Sequence, residues 1–117
     1  MRRLLLSVLL VYGAASLLHH AHNAEFLDHY PNMPAWLTRG GVYAAWLAAT
    51  AVGVLGYWLR RRVLLVLYAC YGLAVLVHYV IAPVSAHTPM MHLTIGLEAG
   101  TAAALLAATF RPNRTSL

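Results

Sequence analysis

Four apolar runs, each close to the length of a membrane-crossing helix, take up most of the chain, at about residues 4–29, 42–59, 63–82 and 89–110. A bilayer's hydrocarbon core is about 30 Å thick and is crossed by about 20 apolar residues in an α-helix. Inside it every backbone N–H and C=O must be satisfied within the protein, which favours helices over irregular chain. The composition agrees: 62% of the residues are hydrophobic, 9% are charged and the mean hydropathy is +0.68, whereas a soluble domain carries about 25% charged residues. The expected fold is therefore an all-α integral membrane protein, a four-transmembrane-helix up-down-up-down bundle, with residues 1–117 forming a single transmembrane domain.

The boundaries between the runs follow from local chemistry. The start, MRRLLLSVLL, has the charged end and apolar middle of a signal peptide, but lacks a crisp small-x-small cleavage site. Residues 1–16 are read as part of a retained helix anchored by Arg2 and Arg3. Pro31 and Pro34 stop that helix, since proline lacks the N–H a helix interior needs. The second and third runs together cover residues 42–82, which as one helix would be about 60 Å long, twice the hydrocarbon thickness. The chain must therefore turn at Arg60-Arg61-Arg62, although neither Gly nor Pro marks the place. Pro83 ends the third run, and Pro89 suits the first turn of the fourth.

Arginine placement gives the expected orientation. Arg2, Arg3, Arg60, Arg61, Arg62, Arg111 and Arg114 fall at one end of the runs and only Arg39 at the other. Basic residues accumulate on the cytoplasmic side, so both termini are expected inside (N-in/C-in). The formal charge of +5 is thus a topology signal rather than a phosphate-binding face, and no nucleic-acid partner is expected. A bacterial inner membrane is the expected location.

The same count puts all seven histidines at or near the outer, periplasmic side. The stretch LLHHAHNAEFLDHYP (residues 17–31) carries His19, His20, His22 and His29 with Glu25 and Asp28. On a continuous helix His22, Glu25 and His29 fall within about 60° of one another, His19 flanks them and His20 points away. His78 shares a face of the third run with Tyr71. His87 lies in the loop, His92 in the first turn of the fourth run, and Glu98 deeper on the stripe of Met91. Ionisable groups in such segments are costly and tied to function. Imidazole and carboxylate suit Zn or Fe, while the nearby Met33, Met90 and Met91 would suit copper. The expectation is an outward-facing transition-metal site drawn from His19, His22, Glu25, His29, His78, His87, His92 and Glu98, serving metal-dependent chemistry or metal handling.

Three other readings stand beside it. Interfacial histidines can be wet, amphipathic side chains without a ligand. A heme b needs two axial histidines on facing helices beside small residues, which His78 with His22 or His92 would supply, making the protein an electron-transfer anchor that meets quinone. The small-residue stripes Gly41, Ala45, Ala49, Gly53 and Gly96, Gly100, Ala104 allow close helix approach. They would suit a homo-oligomer or a small accessory subunit of a larger membrane complex. The single Cys70 excludes thiol–disulfide chemistry within one chain.

Overall fold

The computed structural model describes residues 2–112, so Arg114 of the arginine count lies outside it. Among the described residues there is no strand, and four helical segments are long and apolar enough to cross a membrane: Arg3–Glu25, Arg39–Trp58, Arg62–Ile81 and Pro89–Thr109. The elements are α1 (Arg2–Glu25), α2 (Arg39–Trp58), α3 (Arg62–Leu73), α4 (His78–Ile81) and α5 (Pro89–Thr109). α1 packs on α2 and α5, and α3 packs on α2 and α5, so the four spans close into a ring around a shared interior.

The helix ends show why the chain breaks where it does. α1 stops at Glu25, four residues before the expected end, and a 3-10 turn, Leu27–His29, follows. The loop after it is tied down by Asn32, whose Nδ2 donates to the Ile81 carbonyl at 2.9 Å. α2 begins with Thr38 as its cap, the hydroxyl accepting from the Gly41 N–H at 3.0 Å. α5 begins with Thr88 accepting from the Met91 N–H, Pro89 next to it, and the Met91 sulfur accepting from the Thr88 N–H.

The turn between α2 and α3 is made without glycine. Arg60 adopts φ 55°, Arg61 N–H donates to the Gly56 carbonyl at 2.9 Å and Arg60 N–H to the Tyr57 carbonyl at 3.3 Å. That pair of bonds is a Schellman motif with an arginine at the left-handed position. The third span is not a uniform α-helix: a 3-10 turn, Ala74–Val77, separates α3 from α4. It winds more tightly than an α-helix and carries His78 at its end.

One half of the ring is a dry core of Leu9, Tyr12, Leu65, Tyr68, Ala69, Ala102 and Leu105. In a bilayer such packing is held by van der Waals fit rather than by the hydrophobic effect. Two glycines make it possible: a methyl group at Gly72 would run into the Tyr12 ring, and one at Gly53 into the Tyr68 ring. Tyr12 and Tyr68 meet edge to face at 4.6 Å, and the Tyr12 hydroxyl donates to the Tyr68 carbonyl at 3.2 Å. Gly96 and Gly100, by contrast, have nothing within 4 Å of a would-be side chain, so that pair serves no packing inside the bundle.

Candidate functional site: a buried histidine–glutamate chamber

The inward face of α1 is set by Tyr12, Ser16, His19, His20 and Asn23, at i, i+4, i+7, i+8 and i+11, and all five are buried. The inward face of α5 is Met91, Thr94, Ile95, Glu98, Ala102 and Leu105, likewise buried. Where these faces meet above the dry core, the interior becomes polar. Glu98 lies at its centre with 1% exposure.

The hydrogen bonds assign most of the protons. The Ser16 hydroxyl donates to Glu98 Oε1 at 2.7 Å. The Thr94 hydroxyl lies 3.2 Å from the Met91 carbonyl and 3.3 Å from His19 Nδ1; with its proton on the carbonyl, its oxygen accepts from a His19 protonated at Nδ1. A neutral His19 then presents a bare lone pair at Nε2. That lone pair lies 4.0 Å from Glu98 Oε2, a buried oxygen with no hydrogen-bond partner. His20 is fully committed: Nδ1 donates to the Ser16 carbonyl at 2.7 Å and Nε2 accepts from the Tyr71 hydroxyl at 2.7 Å.

His78 stands beside His19, their ring centroids 5.3 Å apart, and its Nδ1 is buried without a partner. His87 follows at 6.3 Å from His78. Its Nδ1 donates to the Pro83 carbonyl at 3.0 Å, leaving Nε2 as a second buried, unpartnered acceptor. A cavity of about 290 Å³ opens between these groups and α2, walled by His19, His20, Asn23, Tyr71, His78 and Glu98 on one side and by Met33, Leu37, Val42, Ala45 and Val75 on the other. The chamber is therefore lined by polar side chains from α1, α3, α4 and α5 and by apolar ones from α2.

The remaining sequence candidates do not converge on it. With α1 ending at Glu25, the stripe His22, Glu25, His29 is broken. Glu25 turns outward to Arg39, with Oε1 2.6 Å from Nη2, and accepts from the Tyr43 hydroxyl at 2.8 Å. His29 is exposed and stacks on Phe26. His22 Nδ1 is bonded to the Tyr30 hydroxyl at 2.7 Å, and His92 Nδ1 to the Tyr79 hydroxyl at 2.7 Å. The Met91 sulfur is occupied in the α5 cap. Among the described residues no three His, Cys, Asp or Glu side chains stand as a complete metal-binding group. Of the expected ligands, His19 lies beside both Glu98 and His78, and all three line the cavity, with His87 next to His78.

His20, Ser16, Asn23, Thr94 and Tyr71 belong to the chamber and were absent from the expected site. The i, i+4, i+7, i+8, i+11 spacing from Tyr12 to Asn23 was the signal that would have found the α1 members. Comparisons with protein-family models, with characterised proteins and with solved structures return no match to this chain.

Proposed function

We propose that the chamber holds a single transition-metal ion on the outer side of a membrane, in a protein whose task is metal handling or metal-dependent chemistry there. The observation that carries the reading is the pair of His19 Nε2 and Glu98 Oε2. Glu98 Oε2 is a buried oxygen without any partner, and with His19 protonated at Nδ1 the Nε2 lone pair 4.0 Å away repels it unless a proton or a cation lies between them. Bonds of about 2.0–2.2 Å to imidazole nitrogen and carboxylate oxygen span about 3.4 Å at a tetrahedral angle and about 4.2 Å in line. The pair falls within that range. His78, the first residue of α4, lines the same cavity with a buried, unpartnered Nδ1 and is the candidate third donor. Zn, Fe or Cu suits such a nitrogen–oxygen set.

The orientation is part of the proposal: up-down-up-down spans, both termini and the α2–α3 turn on the cytoplasmic side of a bacterial inner membrane, the chamber toward the periplasm. Below Glu98 the polar path runs through Ser16 and Tyr12 into the cluster of Leu9, Leu65 and Leu105. A dead end of this kind suits a holding or reacting site rather than a conduction path. The heme reading is less well supported, because the Tyr30 ring stands between His22 and His78 and the His87 ring between His78 and His92.

Thermal unfolding in detergent with added Zn²⁺, Cu²⁺ or Fe²⁺ tests the reading. A ligand at a hundred times its Kd stabilises by about 2.7 kcal/mol. One of these ions should raise the unfolding midpoint of the wild type and leave that of His19→Ala/Glu98→Gln unmoved. An equal response in both would refute the site.

A further inference from the structure

A second cavity, of about 450 Å³, lies at the end of the bundle away from the histidines, walled by Leu5, Gly56, Arg60, Arg62, Phe110 and Arg111 among others. Three arginines, Arg60, Arg62 and Arg111, line this space, and among the described residues no acidic side chain does. The chain has only three acidic side chains: Glu25 pairs with Arg39, Asp28 sits in the turn after α1, and Glu98 lies in the chamber. Among the described residues none of these arginines makes an ion pair with a side chain. Arg62 lies over the Phe110 ring, 5.4 Å from its centroid, which holds one wall in place. Next to Arg60 the chain exposes Leu59, and the outer surfaces of α2 and α3 expose Leu55, Val63 and Leu67.

We propose that this cavity seats the phosphodiester headgroup of an anionic phospholipid, with Arg60, Arg62 and Arg111 as its charge partners and its acyl chains along Leu59, Val63 and Leu67. Arginine suits this task because its planar fork meets phosphate oxygens in pairs. Basic pockets between spans on the cytoplasmic side take anionic headgroups for the same reason. The adjoining apolar face distinguishes a lipid from free phosphate: a soluble anion needs the guanidinium groups alone, whereas a lipid also covers Leu59 and Val63. This inference is independent of the metal reading, which concerns the other end of the molecule.

Native mass spectrometry of the full chain in neutral detergent, with phosphatidylglycerol and phosphatidylcholine added together, tests it. The wild type should retain one phosphatidylglycerol in preference to phosphatidylcholine. Arg62→Gln/Arg111→Gln should weaken that retention about 30-fold, equivalent to about 1 kcal/mol per arginine. Arg3→Gln/Arg61→Gln removes the same charge outside the cavity and should leave retention as in the wild type. Equal retention of phosphatidylcholine would overturn the proposal, as would equal loss in the charge-matched control. Displacement of the lipid by millimolar inorganic phosphate would reassign the cavity to a free anion and overturn it too.

Discussion

In the proposed site Thr94 sets which nitrogen of His19 carries the proton. With the Thr94 hydroxyl proton on the Met91 carbonyl, its oxygen holds a His19 Nδ1–H and leaves the Nε2 lone pair facing Glu98. Partners of this kind orient metal-binding imidazoles, and their loss weakens metal affinity about 10- to 100-fold. Thr94→Val, nearly the same volume, should show that loss in a Zn²⁺ titration while the protein stays folded. Tyr30 supplies a prediction in pH. It lies in the loop after α1, where burial pushes its phenol up to about 12. An acid raised above its ordinary 10.0 favours the folded state at lower pH, and that contribution fades as pH climbs from 10 to 12. The stability difference between the wild type and Tyr30→Phe should therefore shrink across that window in detergent unfolding. A constant difference would mean the phenol is not buried.

At the scale of the element, the helix ends decide more than the helix interiors do. The turn at the three arginines was legible because a helix across residues 42–82 would be too long. Its geometry was not, because the left-handed position is occupied by Arg60 at φ 55° rather than by the glycine that usually marks it. A side-chain-bearing residue there costs about 1–2 kcal/mol, so Arg60→Gly should stabilise the protein by about 1 kcal/mol in zwitterionic detergent. An unchanged unfolding midpoint would mean the turn is built otherwise. The glycines divide in the same physical way. Gly72→Ala drives a methyl group into the Tyr12 ring and should cost about 1–3 kcal/mol, as overpacking does. Gly96→Ala meets open space and should change stability by less than about 0.5 kcal/mol. Only Gly96 and Gly100 have the GxxxG spacing, yet Gly72 and Gly53 are the ones that pack against tyrosines, so only the three-dimensional neighbours separate a packing glycine from an outward-facing one. The end of α1 had the larger consequence for the site. Extending the helix to His29 makes His22, Glu25 and His29 one face. Ending it at Glu25 leaves the inward face to Ser16, His19, His20 and Asn23, whose polar members are scattered among leucines and alanines.

For the molecule as a whole, four spans, histidines gathered toward one end and arginines toward the other were readable from hydropathy and charge counts alone. The pairing of faces was not, because the rotation of each helix is set by close contacts such as Tyr12 on Gly72 and Tyr68 on Gly53. The proposed orientation predicts that an alkaline phosphatase reporter fused after residue 35 is active outside the cell, and that one fused after residue 61 is inactive. The opposite pattern would turn the chamber toward the cytoplasm. The most direct test of the central claim is the metal content of the protein, purified without chelators and measured by elemental mass spectrometry, alongside His19→Ala/Glu98→Gln. The account predicts close to one Zn, Fe or Cu per chain in the wild type and a loss of most of it in the variant. A wild type at background, or a variant that keeps its metal, would contradict it.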